Sequence, residues 1–224
     1  MRRFLIALLS LAAVGPATAL AAPTEYTLDP GHTQVRFSWS HFGFSVPEAN
    51  FNEIRGTIKA DPDAPENATL DVTIPVAGLD THVPLLNEHL LNKPEFFKAE
   101  AHPNITFKSN QIRNISEDKK HFDVVGILTV NGISNQVVLA TTVNKVGEHP
   151  MYDGAPAAGF NATTTIKRSD YGMKAYVPAV SDELQVRITA EAIDADAYAK
   201  KIAAEQKAAE QPTKQPAEQP AKQQ

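Results

Sequence analysis

Apolar and polar side chains alternate with a period of two through most of this chain, the pattern that a half-buried β-strand uses and a helix does not. Val35, Phe37, Trp39 and His41 point one way while Arg36, Ser38 and Ser40 point the other. Leu70, Val72, Ile74 and Val76 alternate with Thr69, Asp71 and Thr73. Phe122, Val124, Gly126, Leu128 and Val130 share a face, as do Val137, Leu139, Thr141 and Val143. Leu184, Val186, Ile188 and Ala190 alternate with Glu183, Gln185, Arg187 and Thr189. Weaker runs at 49–60, 104–113 and 158–168 complete a set of about eight strands. In the first of these, Phe51 is out of phase with Ile54, Gly56 and Ile58, which predicts a bulge near Asn52 and Glu53.

Turn chemistry separates the runs. Asn131-Gly132 is a type I′ hairpin signal. "DPDAPEN" before Ala68 and "GEHPMYDGAPAAG" after Val146 read as loops. "PLLNEHLLNKPEFF" breaks the pattern: a leading proline and Leu85, Leu86, His89 and Leu90 fit a short helix that Pro94 ends or kinks. About eight antiparallel strands with one helical insertion suggest a barrel or sandwich, and closure removes the exposed edges of a long open sheet. An eight-stranded barrel is either filled by its own side chains or holds one small ligand.

The termini differ from this middle. Arg2 and Arg3 precede the apolar run "FLIALLSLAAV", and Ala19 and Ala21 supply the small residues of a cleavage site. Residues 1–21 therefore read as a secretory signal peptide, too short in its apolar run to be a comfortable membrane span. A chain without cysteine suits a bacterial periplasm, where stray thiols are oxidised. The expected barrel domain is 22–193. Beyond it, 194–224 opens with the Ala-, Lys- and Glu-rich "DAYAKKIAAEQKAAE", an exposed helix, and ends in Gln-Pro repeats expected to be disordered, a solvated tail or a spacer contacting the envelope.

Composition excludes several functions. Without cysteine there are no disulfides, thiolate metal sites or cysteine nucleophiles. A net charge of −5 offers no basic footprint for nucleic acid. No G-x-S-x-G elbow, calcium loop or phosphate-cradling glycine loop occurs. The histidines have no ligand spacing, although a barrel brings distant residues together, and His32, His41 and His89 are the set to test for metal or enzymatic chemistry. The pointed features are two. "VRFSWSHFGFS" packs Phe37, Trp39, Phe42 and Phe44 with His41 into 35–45, as core, catalytic site or cavity wall. "IKRSDYGM" sets Arg168 and Asp170 beside Tyr171 at a strand end, either as a polar rim for a ligand head group or as an ion pair pinning the following loop.

Several ordered segments together resemble one family. "YTLDPGHTQVRFSWSHFGFS", "NEHLLNKPEFFKAEAHPNITFKS", "GILTVNGISNQVVL", "IKRSDYGM" and "VSDELQVRITAEA" are similar to the YceI family of bacterial periplasmic proteins, over residues 25 to 193. Asn87 and Glu88, Ser134-Asn135-Gln136 after the hairpin, and Lys167 depart from its usual polar pattern. The resemblance implies an all-β, eight-stranded antiparallel lipocalin-like barrel that binds rather than catalyses. Its interior would take a long apolar lipid: a polyisoprenoid, an isoprenoid quinone or a fatty amide. No cofactor is implied beyond that lipid, and the implied partners are the lipid itself and transient contacts in the envelope. Phe37, Trp39, His41, Phe42 and Phe44 would line or cap the cavity, with Phe51, Phe96, Phe97, Phe107, Phe160, Arg168 and Tyr171 from the other matched segments.

Overall fold

Eight wall positions close into a ring, and three of them are built from two short strands each. The computed structural model describes residues 23–61 and 63–210; the segment expected to be a signal peptide and the Gln-Pro repeats lie outside the described residues. Strands β1 (Thr24–Leu28) and β2 (Gln34–Ser38) share one wall position, β3 (Glu48–Phe51) and β4 (Arg55–Ala60) the next, and β5 (Thr69–Pro75) and β6 (Leu79–Asp80) the third. Long single strands make the other five: β7 (Asn104–Arg113), β8 (His121–Val130), β9 (Ile133–His149), β10 (Ala155–Lys167) and β11 (Glu183–Asp194). All pairings are antiparallel. Strand β11 closes the barrel by pairing with β2 over Gln185–Thr189 and with β1 over Ala192–Asp194.

That change of partner explains the corners in the wall. Between β1 and β2 the chain turns out at Asp29–Thr33, where the Asp29 N–H still donates to the Glu191 carbonyl. The phase break at Asn52–Glu53, read from sequence as a bulge in one strand, is a corner between two strands with different partners. Glu53 is left-handed at φ 61° and the Asn52 N–H donates to Gly78 O in the corner beside it. Ile54 and Val76 are almost fully buried and plug two of these corners from inside. True bulges shift the β7/β8 register between Ser109 and Gln111 and the β9/β10 register at Gly159/Phe160.

The segment "GEHPMYDGAPAAG", expected as a loop, is mostly strand. Strands β9 and β10 stay paired out to His149↔Ala155, and only 150–154 turns. Gly and Pro lowered its strand propensity, and pairing along the neighbouring strand overrode that preference. Asn131 and Gly132 form the expected hairpin, with φ of 53° and 75°. Helix α1 (Pro84–Asn92) follows the proline as expected, and Lys93 caps its end. Asn87, one departure from the family pattern, ties this helix to β6 by accepting from the Thr81 N–H at 2.8 Å. Helix α2 (Ala195–Glu210) continues from β11, and its Tyr198 stacks on Tyr152 with Lys201 over the same ring.

Candidate functional site

The inward faces of the strands do not meet across the barrel. They leave a tunnel of about 690 Å³, within the roughly 300–1,000 Å³ of ordinary small-molecule sites. Its wall is the alternation seen in the sequence. Leu70, Val72 and Ile74 come from β5, Phe122, Val124 and Leu128 from β8, and Val186, Ile188 and Ala190 from β11. Polar side chains gather at one end, where Asp61, Asp118, Lys119, Lys120 and Lys145 surround the loops 61–68 and 114–120.

A second chamber of about 280 Å³ sits at the other end, under α1 and the loops 39–47 and 173–180. Trp39, His41, His89, Phe96 and Tyr176 are among its walls. Phe37, Phe97, Met173 and Leu184 line both spaces and form the partition between them. The aromatic rings run continuously across it: Phe37 to Trp39 at 5.7 Å, Phe37 to Phe51 at 5.6 Å, and Phe51 edge-on to Phe97 at 5.8 Å.

The residues singled out in the sequence therefore separate into three groups. Phe37, Phe51, Phe97, Phe107, Phe160 and Tyr171 line the tunnel. Trp39, His41, Phe96 and Arg168 line the smaller chamber. Phe42 and Phe44 line neither space, contrary to expectation: they are 51% and 93% exposed. Strand β2 ends at Ser38, and the turn that follows puts Phe42 at φ 54° and Gly43 at φ 74°, which takes both rings outside the barrel.

Arg168 has its donors committed to the backbone. Its guanidinium donates to the carbonyls of Ser181, Met173 and Val180, each at 2.9 Å. Burial lowers its pKa, and the charge of Asp182 works the other way. Asp170 is not its partner; the loop is pinned instead by these three bonds and by Asp182, which accepts from the Ser169 N–H and hydroxyl. Tyr171 is fully buried, and burial, helped by the charge of Asp170, pushes its hydroxyl up to about 12. It faces the tunnel as a neutral group.

The histidines proposed as a metal or catalytic set do not converge. His41 and His89 line the chamber, whereas His32 sits at the β1/β2 corner with Asp29 and Glu191. There His32 Nδ1 is 2.7 Å from Asp29 Oδ2, and the Tyr152 hydroxyl donates to the same oxygen at 3.3 Å. This knot ties the corner to the β9/β10 turn.

Sequence reasoning overlooked Asn131 as more than a turn residue. Its side chain is buried and bonded to Lys98, Phe96 and Tyr171, so the hairpin holds the segment that carries Phe96 and Phe97. It also left out the aliphatic wall and Met173, although the period-two faces contained most of that wall.

A family profile described as the YceI-like domain matches residues 26–192, nearly the whole barrel. The chain belongs to the YceI-like family. It is 32% identical over 191 residues to a UPF0312 protein of Pseudomonas syringae pv. tomato, covering 82% of this chain and 96% of that one. The YceI protein of Campylobacter jejuni is similar in structure, with a TM-score of 0.62 and 30% identity over 69% of this chain and 88% of its own. A polyisoprenoid binding domain from Saccharophagus degradans shares the fold at a TM-score of 0.52 and 13% identity, covering 75% of this chain and 98% of that domain. This YceI-like chain thus folds as a closed eight-stranded antiparallel barrel with two helices.

Proposed function

We propose that this protein binds one long apolar lipid, of the polyisoprenoid, isoprenoid quinone or fatty amide type, and carries it through the periplasm. The observation that carries this reading is the tunnel, whose walls are apolar side chains from every wall position of the barrel. The fold shared with a polyisoprenoid binding domain supports it. The basic n-region and apolar run at the N-terminus support export.

The energetics suit a carrier. Burying roughly 20 carbon-sized groups at about 0.8 kcal/mol each gains about 16 kcal/mol gross, and ordering and association take back much of it. A ligand of about 30 heavy atoms at about −0.3 kcal/mol per atom reaches about −9 kcal/mol, sub-micromolar binding. Binding of this kind uses no catalytic group, only a tunnel from which water is displaced.

The test is extraction. Protein exported to the periplasm of a native-like host is purified without detergent, extracted with organic solvent and analysed by mass spectrometry. One prenyl, quinone or fatty amide species near one per protein is the expected result. An empty extract, alongside a control carrier that keeps its lipid, overturns the proposal.

A further inference from the structure

Most of the large apolar side chains exposed among the described residues sit at one end of the barrel. Phe42, Phe44 and Val46 come from the loop after β2, Val83 and Leu85 from the start of α1, and Tyr176 from the loop before β11. These segments meet. The Phe42 N–H donates to Ala179 O at 2.9 Å, His41 bridges both Ser45 and Val180, and His41, Leu86 and Tyr176 together line the smaller chamber. The three segments that carry these six side chains border the chamber, so the six make an exposed apolar ring at its end of the barrel. A patch of this kind on a protein surface marks a contact with something apolar.

The backbone holds them there. Phe42, His82 and Tyr176 are all left-handed, with φ of 54°, 59° and 61°, a conformation that is unfavourable for bulky residues. Two of the three are aromatic residues of the ring itself, and the third precedes Val83. Glu53, Asn114, Lys119, Asn131 and Asp153 are left-handed elsewhere among the described residues, but Phe42 and Tyr176 are the two such positions that carry a large apolar ring.

We infer that this ring docks the protein on the surface of a lipid bilayer, with the loop tips inserted among the acyl chains and the chamber mouth facing the membrane. The inference rests on the proposed carriage of an apolar lipid. Such a cargo does not cross water freely, so it passes most readily where the carrier's apolar interior continues into the apolar phase that holds it. Here the apolar parts lie in series: exposed ring, chamber, the shared wall of Phe37, Phe97, Met173 and Leu184, then tunnel. Separate tips on three segments suit a fluid phase better than a rigid partner's groove. The charge pattern points to insertion rather than electrostatic attraction. Lys93 and Lys174 flank the ring together with Glu48 and Glu95, and the whole chain is acidic.

Flotation with phosphatidylcholine vesicles tests this on the full exported chain. The wild-type protein is expected to float at both low and high salt. The double variant Phe42→Gly, Phe44→Ser is expected to partition about tenfold or more weakly. Glycine keeps the left-handed turn and Phe44 is exposed, so the melting temperature and the lipid content of the purified variant are expected to match wild type. Wild-type protein that stays at the bottom of the gradient, or a double variant that floats equally well, overturns docking. So does flotation only at low salt on vesicles containing phosphatidylglycerol, or a salt-resistant dimer that depends on the ring and does not float. An empty lipid extract from protein that still floats overturns the carriage reading and leaves docking standing; loaded protein that does not float does the reverse.

Discussion

The side-chain amide oxygen of Asn131 accepts the backbone N–H of Lys98 at 3.0 Å, while its Nδ2 donates to the carbonyls of Phe96 and Tyr171. A hairpin turn residue thereby braces the segment that forms one side of both cavities. Asn131→Gly keeps the left-handed turn and removes all three bonds. It is expected to cost about 2–3 kcal/mol in urea denaturation, because buried backbone groups lose their partners. Asn131→Asp is expected to cost more, since a carboxylate oxygen would replace the donor facing two carbonyls.

Filling the tunnel should empty it of lipid without unfolding the barrel. Ala162 faces the tunnel from β10, in register with Thr141 and Ile188. Ala162→Phe is expected to change stability by less than about 1.5 kcal/mol, because the ring enters existing space. Mass spectrometry of the extract should show most of the bound lipid gone. A variant that carries as much lipid as wild type would place the cargo elsewhere.

Trp39 is the chain's one tryptophan and lies in the chamber, one ring beyond the partition. Its fluorescence therefore reports chamber occupancy. Titration with a long prenyl alcohol is expected to shift or quench the emission, and a short alkane held in the tunnel is expected to do so much less. Phe37→Ala, which opens the partition, should bring the two responses together.

Arg168 anchors the loop 173–181 with three forked bonds to carbonyls. Lysine places a single ammonium there and cannot reproduce the fork. Arg168→Lys is expected to lose about 2 kcal/mol of stability. Limited proteolysis should then cut within 173–181 before any other segment between 23 and 194.

The Asp29–His32 pair gives a pH signature. The hydrogen bond to Asp29 and the charge of that carboxylate raise the His32 pKa above 6.5. Its contribution is therefore full below 6.5 and lost as pH rises through the higher folded value. Burial alone would raise the Asp29 pKa, but the bonds from His32, Gly31 and Tyr152 bring it below 3.8, so its contribution fades as pH falls through that lower value. Both shifts describe one interaction and are counted once. His32 is largely exposed, so the pair is worth less than about 1 kcal/mol. Denaturation of wild type and His32→Gln should differ between the two folded values and converge at more alkaline pH.

The strands that were legible in the sequence were those whose alternation ran uninterrupted, such as β5, β11 and the hairpin of β8 and β9. The corner at Asn52–Glu53 left a trace as a phase break, but the cause, a change of strand partner, is a property of the closed barrel and not of the local residues. The aromatic run at 35–45 was legible as far as Trp39. Alternation cannot say where a strand stops, and the left-handed turn at Phe42 sends the last two rings outward with only Gly43 as a hint. Asn131 read as a turn because turn chemistry is local; its three bonds come from residues 33 to 40 positions away.

The paired strands β1/β2, β3/β4 and β5/β6 lie side by side, so their corners fall on one half of the barrel and the five unbroken strands make the other. The cylinder thus has a stiff back and a jointed front. A guest bulkier than the resting bore would be accommodated by flexing at the joints while the back keeps its hydrogen-bond ladder. On the proposed carrier reading, one scaffold of this build would take cargoes of different girth without being remade for each.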